Sequence, residues 1–139
     1  MAPVNPQSFK VDVLTEPRTL WMLVSASSVP DDERDRERLF HSRFALDESP
    51  HPFARRATVL YMALSMWDES GFAHLRGLVA LNASTPRFVA RVALKPKVKS
   101  HATGICIADT AEHGHWSVWG TPAKLGHCLV DIQPVGTLP

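Results

Sequence analysis

The segment Arg87-Phe88-Val89-Ala90-Arg91-Val92-Ala93-Leu94 is the stretch of sequence that most clearly indicates the fold. Every second residue from Phe88 is apolar, and successive side chains of a β-strand point to opposite faces of a sheet. β-Branched and aromatic residues also suit such a pleated, half-buried surface. The segment therefore predicts a strand, with Phe88, Val92 and Leu94 buried on one face.

Strand patterns continue toward the C-terminus. The sequence predicts two short strands, at 105–108 and at His115–Trp119, and a final strand at 128–135. Polar stretches at 95–104 and 109–114 predict loops between them. Thr121-Pro122 would open one helical turn, because proline suits the first positions of a helix.

The N-terminal half mixes strands with helices. Residues 1–8 hold two prolines and no periodicity, which predicts a flexible tail before a single domain at 9–139. Alternation at 9–13 predicts a short strand or an extended arm, and the apolar run at 19–24 predicts a buried strand. Pro30-Asp31-Asp32-Glu33 predicts the start of a helix that runs to about Phe44, because acidic side chains accept hydrogen bonds from the first free amides.

Two assignments compete between Pro52 and Trp67. A helix can begin near Pro52 and give way to a strand at 62–67, or one helix can cover 52–67. Asp68 then caps a helix at 69–79. About six strands and two or three helices result, with the strands concentrated C-terminally. This mix predicts an α+β domain with a bent, mostly antiparallel sheet.

Composition restricts the class of protein. The chain has 139 residues, 45% of them apolar, and a net charge of +1, which is typical of one globular domain. The near-zero charge argues against a broad nucleic-acid surface, and Lys95, Lys97 and Lys99 are interpreted as part of a solvated loop. No apolar run is long enough to span a membrane.

The two cysteines, Cys106 and Cys128, indicate a reducing compartment. Both are expected to be reduced and buried, behaving as small apolar residues. The first ten residues lack the basic start and apolar run of a secretory signal. A cytoplasmic protein is therefore expected.

The segment at 113–120 has the most unusual composition, with two of the seven histidines and two of the four tryptophans. In a strand, His115 and Trp119 share one face, and Trp116 and Val118 the other. His115 and Trp119 are therefore predicted to line a pocket that combines a titratable group with an aromatic wall. The alternative is that the tryptophans are core and His115 is a satisfied hydrogen-bonding group.

Arg18 and Ser65 are further candidates. An arginine at the start of a strand can clamp a phosphate through its planar fork, or can simply be a surface residue. Ser65 and Trp67 point to one side of their strand, but no Gly-x-Ser-x-Gly elbow supports a nucleophilic serine. The cysteines and histidines lack zinc-site spacing, and no glycine-rich phosphate loop is present, so no metal is predicted.

Three segments, in order, resemble a group of small uncharacterised proteins from high-GC bacteria. They are Arg-Thr-Leu-Trp at 18–21, Leu-Ser-Met-Trp-Asp at 64–68 and Gly-His-Trp-Ser-Val-Trp-Gly-Thr-Pro at 114–122. The group shares an Arg-Thr-Leu-aromatic start, an Ile-Ser-Val-aromatic-Asp strand and a Gly-His-x-x-x-Trp-Gly-x-Pro segment. The likeness covers about 17–135, its last segment is the most distinctive, and it implies no function.

The order of these residues also resembles ADP-ribosyltransferase-like folds. There, an arginine on the first strand and a serine on a middle strand help to hold NAD, and a late glutamate often polarises the ribose. The resemblance implies those binding roles for Arg18 and Ser65. Two residues are candidates for the position of this late glutamate. They are Glu112, in a loop, and His115, at the start of a strand.

The sequence is consistent with two alternative functions. As an enzyme, the chain would be a nucleotide- or NAD-using transferase of the ADP-ribosyltransferase-like type. Arg18 would then bind a phosphate, Ser65 a ribose, Trp67 or Trp119 would stack on a ring, and His115 would serve as acid or base. Otherwise it is a non-catalytic partner-binding or regulatory domain of a bacterial defence or toxin-linked system. It would then have a protein partner, no cofactor, and aromatics as core or interface anchors. The incomplete catalytic set favours the second function.

Overall fold

Two long strands form the centre of the sheet. The computed structural model describes residues 10–41 and 63–139. Within them, β2 (Arg18–Val24) runs antiparallel to β4 (Phe88–Leu94). They pair along their full length, from Arg18 opposite Leu94 to Val24 opposite Phe88. The predicted strand at 87–94 is confirmed, with Val92 and Leu94 fully buried and Phe88 only half-buried.

Five further strands complete a sheet of seven. They are β1 (Asp12–Val13), β3 (Leu64–Trp67), β7 (Cys106–Asp109), β8 (His115–Trp119) and β9 (Leu129–Pro134). The strand order is β1-β7-β8-β3-β2-β4-β9, and every neighbouring pair is antiparallel. A separate hairpin joins β5 (Lys97–Val98) to β6 (His101–Ala102). The predicted α+β fold with a mostly antiparallel sheet is therefore confirmed.

Three helices accompany the sheet in the described residues. They are α1 (Glu33–Arg38), α2 (Phe72–Leu81) and α3 (Pro122–Gly126), with 3-10 turns at Glu69–Gly71 and Val135–Thr137. Asp32 caps α1 by accepting from the Arg34 amide at 2.7 Å, and Thr121 caps α3. None of these helices is long and apolar enough to cross a membrane.

Both faces of the two central strands are buried, because alternate side chains along each strand point to opposite faces of the sheet. One face carries Leu20, Met22 and Val92 into a core that also contains Phe40 and Leu125. The other face carries residues such as Trp21 and Val89, which pack with Phe72 and Leu75 of α2. The rings of Trp21 and Phe72 meet edge to face, with centroids 4.8 Å apart. The sheet is thus the middle layer between two apolar cores.

The first helix ends earlier than the sequence predicts. It begins after Asp32 as expected, but it stops at Arg38 instead of continuing to about Phe44. The Leu39 and Phe40 amides bond to carbonyls three residues back, which tightens the chain. This turn places Phe40 in the core with 2% of its surface exposed. The region beyond His41, including the helix predicted from Pro52, lies outside the described residues.

The segment before Asp68 is a strand, as the first of the two competing assignments predicted. Leu64–Trp67 pairs with β2 on one side and with β8 on the other. Met66 and Trp67 are buried in the two opposite cores, which requires the two-residue repeat of a strand. A single helix extending to Trp67 is therefore wrong for residues 64–67.

Smaller differences between the predicted and the observed structure have local causes. Asp68 caps a 3-10 turn instead of α2 itself, so the helix begins at Phe72 and not at Glu69. The predicted loop at 95–104 contains the β5–β6 hairpin. Both cysteines are free, but Cys106 is half-buried, because it lies beside the edge strand β1. The predicted tail at 1–8 lies outside the described residues.

The second core predicts a contrast between two leucines of α2. Leu75 is fully buried, whereas Leu81 is 89% exposed. Leu75→Ala is expected to lower the free energy of unfolding by about 2 to 5 kcal/mol through lost burial and a cavity. Leu81→Ala is the matched control, with a change within about 0.5 kcal/mol. Urea denaturation measures both, and equal losses would contradict the docking of α2 on the sheet.

Candidate functional site

The three candidate catalytic residues do not meet on one surface. Arg18 is on the face of β2 that carries Leu20 and Met22 into the first core. Ser65 and His115 are on the opposite face, the face of Trp67. The sheet therefore separates the arginine from the serine and the histidine.

His115 is held by groups of its own turn. Its Nδ1 atom lies 2.8 Å from the Thr110 hydroxyl, and its ring meets the Trp67 ring edge to face at 5.2 Å. The Thr110 hydroxyl and amide both donate to the His115 carbonyl. His115 is thus a partnered, half-buried side chain against the Trp67 wall of the second core.

Burial lowers the pKa of His115, because a charged imidazolium loses solvation there. Glu112 opposes this effect, and the nearby His74 adds to it. The rings of His74 and His113 stack in parallel, with centroids 4.4 Å apart. The folded state therefore favours neutral His115 among neighbouring histidines.

The ligand-binding candidates lie on the His115 face as predicted. Trp67 is 9% exposed and forms part of the second core, and Trp119 is half-buried. Ser65 is exposed and pairs across the strands with Ser117, which is buried. Trp67 therefore contributes to packing, and its ring and the His115 imidazole are inclined at 68° to each other.

The opposite face carries a different cluster, formed by Arg18, Trp116 and Asp68. The Arg18 guanidinium carbon lies 4.2 Å from the centre of the Trp116 ring, a cation–π contact. The Trp116 indole N–H donates to Asp68 Oδ2 at 2.9 Å. The other Asp68 oxygen accepts from the Ser70 amide at 2.9 Å and from the Ser70 hydroxyl. These contacts fix the indole plane on which Arg18 rests.

Two glycines allow the cluster to close. Gly114 has φ of +72°, which L side chains rarely adopt, and a Cβ there would come within 2.6 Å of the Ser70 hydroxyl. A Cβ on Gly71 would lie 2.5 Å from the His113 carbonyl oxygen. The Asp68 amide donates to the Gly114 carbonyl at 2.9 Å. The turns at 68–71 and 110–114 thus lie in direct contact.

Asp68 is held ionised. Its partial burial alone would raise the pKa, but hydrogen bonds from Ser70 and Trp116, together with the charge of Arg18, lower it below its ordinary value. The cluster therefore contains a carboxylate, an indole and a guanidinium in fixed order. Such a set holds one cation in a preferred orientation.

A groove of about 590 Å³ opens beside this cluster, and we name it the Arg18 groove. One wall is formed by Lys10 and residues 12–16, and Arg18, Trp116, Ile107 and Asp109 complete the lining. A second hollow of about 490 Å³ lies on the other side of Arg18, against Trp21 and the 68–70 turn. Arg18 thus lies where the two concave surfaces meet.

Sequence reasoning found Arg18 but missed its partners. Trp116 was interpreted as core and Asp68 as a helix cap. Strand alternation placed Trp116 on the face away from His115, and Asp68 continues the alternation of Leu64 and Met66. This alternation could have placed Asp68 and Trp116 on the same face of the sheet. That Arg18 lies beside them follows only from the order of the strands.

Within residues 10–41 and 63–139, no group of three or more His, Cys, Asp or Glu side chains is arranged to hold a metal ion. Comparisons with protein-family models, with curated proteins and with solved structures gave no match to this chain.

The lowered pKa of His115 predicts acid sensitivity. The unfolded state binds the proton more readily, so the stabilisation from neutral His115 is complete above about pH 6.5 and is lost as the pH falls toward the folded pKa. His115→Gln, which can still bond to Thr110, should flatten this dependence. Urea denaturation between pH 7.5 and pH 5 measures the change.

His101→Gln, at an exposed position of the β5–β6 hairpin, serves as the control and should retain the wild-type dependence. Parallel stability curves for wild type and His115→Gln would show that His115 does not cause the acid sensitivity.

Proposed function

We propose that this chain is a non-catalytic partner-binding domain, and that the Arg18 groove receives an extended, carboxylate-bearing segment of a partner protein. The observation that carries the proposal is the state of Arg18. Its guanidinium is stacked on Trp116, and within the described residues no carboxylate lies at salt-bridge distance from it.

A guanidinium that lies over a ring face can still direct N–H donors away from the ring toward a ligand. A cation–π contact at an exposed site contributes about 0.5 to 1 kcal/mol, enough to favour one orientation of the side chain. The guanidinium donors lie in the plane of the group, where a carboxylate can accept two of them. Less side-chain freedom is then lost when a ligand binds.

The charges of the groove favour a peptide over a polyanion. Lys10 and Arg18 are accompanied by Asp12, Glu16 and Asp109 along the same walls. These carboxylates would repel a row of phosphates, but they suit a chain that presents both signs of charge. A single acidic side chain opposite Arg18 fits this pattern.

The strand that borders the groove suits an extended ligand. β1 lies at the end of the sheet order and pairs only with β7 in the described part of the chain. Val13, which lines the groove, is 65% exposed, and Val11 just before β1 is 44% exposed. An added strand would satisfy the free backbone groups of such an edge and cover its apolar side chains.

The separation of the candidate catalytic residues supports a binding role over NAD-dependent transfer. Arg18 and Ser65 would have to hold parts of one dinucleotide, yet they extend from opposite faces of the sheet. His115 is engaged by Thr110 and packed on Trp67. We therefore assign Arg18 to recognition and no residue to catalysis.

An array of immobilised nonapeptides tests the proposal, each with a central glutamate and paired with a glutamine copy. Wild type should bind a subset of the glutamate peptides more tightly than their copies. Arg18→Gln should weaken that binding about tenfold or more, because hydrogen bonds to charged groups contribute about 1.5 to 3 kcal/mol. Arg18→Lys should recover little, because it lacks the planar fork.

Arg34→Gln, an exposed arginine of α1, is the matched control and should bind as wild type. Equal binding of glutamate and glutamine peptides, or unchanged binding by Arg18→Gln, would refute the proposal. A thermal-shift series with NAD provides the opposing test. A stabilisation by NAD that Ser65→Ala abolishes would favour the transferase instead.

A further inference from the structure

The β5–β6 hairpin concentrates positive charge on a short ribbon. Lys95, Lys97, Lys99 and His101 are all exposed, and the segment 95–108 contains no acidic residue. The ribbon pairs Lys97 with Ala102 and Val98 with His101. This surface is separate from the Arg18 groove, whose walls carry mixed charge.

The base of the hairpin is anchored. The hydroxyl of the buried Thr103 donates to the Lys95 carbonyl at 2.8 Å, and its amide donates to the Pro96 carbonyl at 3.0 Å. Both ends therefore attach to the main sheet through β4 and β7. The lysines are thus presented on a defined ribbon.

The turn of the hairpin is built from unfavourable residues. Lys99 and Ser100 have φ of 49° and 68°, so both central positions adopt the left-handed conformation of a type I′ turn. Asn-Gly is strongly preferred there, because most L side chains are strained at positive φ. Strain of this kind concentrates at functional positions. A lysine at the tip is consistent with a role for its charge.

We infer that this hairpin contacts the phosphate backbone of double-stranded nucleic acid. The lysines recur at 95, 97 and 99, before β5, within it and in its turn, so they present several positive charges along one short ribbon, and phosphates are the densest row of negative charge on a duplex. A two-stranded ribbon also fits the major groove. The segment 95–108 lacks Phe, Trp and Tyr, so it offers no stacking platform for the bases of a single strand.

The contact is local and independent of base sequence. Three lysines neutralise about three phosphates, which gives a log–log salt slope of about −2.7. Affinity for the duplex then falls about 40-fold between 50 and 200 mM salt. The net charge of +1 over the whole chain argues against a broad nucleic-acid surface and is compatible with one local contact.

Fluorescence anisotropy with a labelled 16-base-pair DNA duplex tests the inference on the full chain. Wild type should bind duplexes of unrelated sequence equally. Lys99→Gln should reduce the salt slope by about one. Raising the salt from 50 to 200 mM should then lower the duplex affinity of this variant only about 12-fold. Lys97→Gln with Lys99→Gln should remove most of the remaining binding. Lys124→Gln, outside the hairpin, is the control and should not change the slope.

The turn provides variants that separate charge from folding. Ser100→Gly relieves one strained position, so it should raise the melting temperature and leave duplex binding unchanged. Lys99→Asn with Ser100→Gly should raise the melting temperature further while weakening binding. A more stable protein that binds less well excludes unfolding as the cause of the loss.

Two results would overturn the inference. One is duplex binding that survives removal of Lys97 and Lys99. The other is lysine-dependent binding of a polyglutamate peptide with none of the duplex, which would identify an acidic protein as the partner. Arg18→Gln should not affect duplex binding, so failure here is distinguishable from failure of the peptide proposal.

Discussion

The antiparallel pairing of β2 with β4 is the interaction on which the rest of the structure depends. The two strands pair along their whole length and bury apolar side chains on both faces. Backbone groups at such depth require partners, and the ladder between the strands supplies them. Because both faces are apolar, one must be covered by α2 and the other by the layer that contains Phe40 and Leu125. The register then fixes which residue emerges at each strand end.

Arg18 owes its position to that register. It lies at the first position of β2, opposite Leu94, where the strand leaves the core. Trp116 arrives from the far side of β3, two strands away in the sheet. Asp68 sets the indole in place, and the absence of side chains at Gly114 and Gly71 allows the two turns to meet. A surface arginine thereby acquires a preferred orientation through groups that are distant from it in sequence.

The same alternation divides the chemistry of the molecule between two faces. The histidine, serine and half-buried tryptophan lie on one face, and the guanidinium, indole and carboxylate lie on the other. Neither set forms a nucleophile with its base or a metal site within the described residues. An oriented cation beside an edge strand favours recognition of an extended chain, whereas the basic hairpin presents charge alone. We therefore propose partners of different chemistry for the two surfaces.

The sequence by itself determined the elements whose signals are local. The two-residue repeat of Phe88–Leu94, the helix start at Pro30-Asp31-Asp32-Glu33 and the Thr121-Pro122 start each depend on a few neighbouring residues, and each was predicted. Only the tertiary structure decided that Phe40 turns into the core and that Arg18 meets Trp116. Both outcomes depend on strand order and register, which arise from burying two faces at once. Contacts between residues so far apart in sequence leave no periodic signal along the chain.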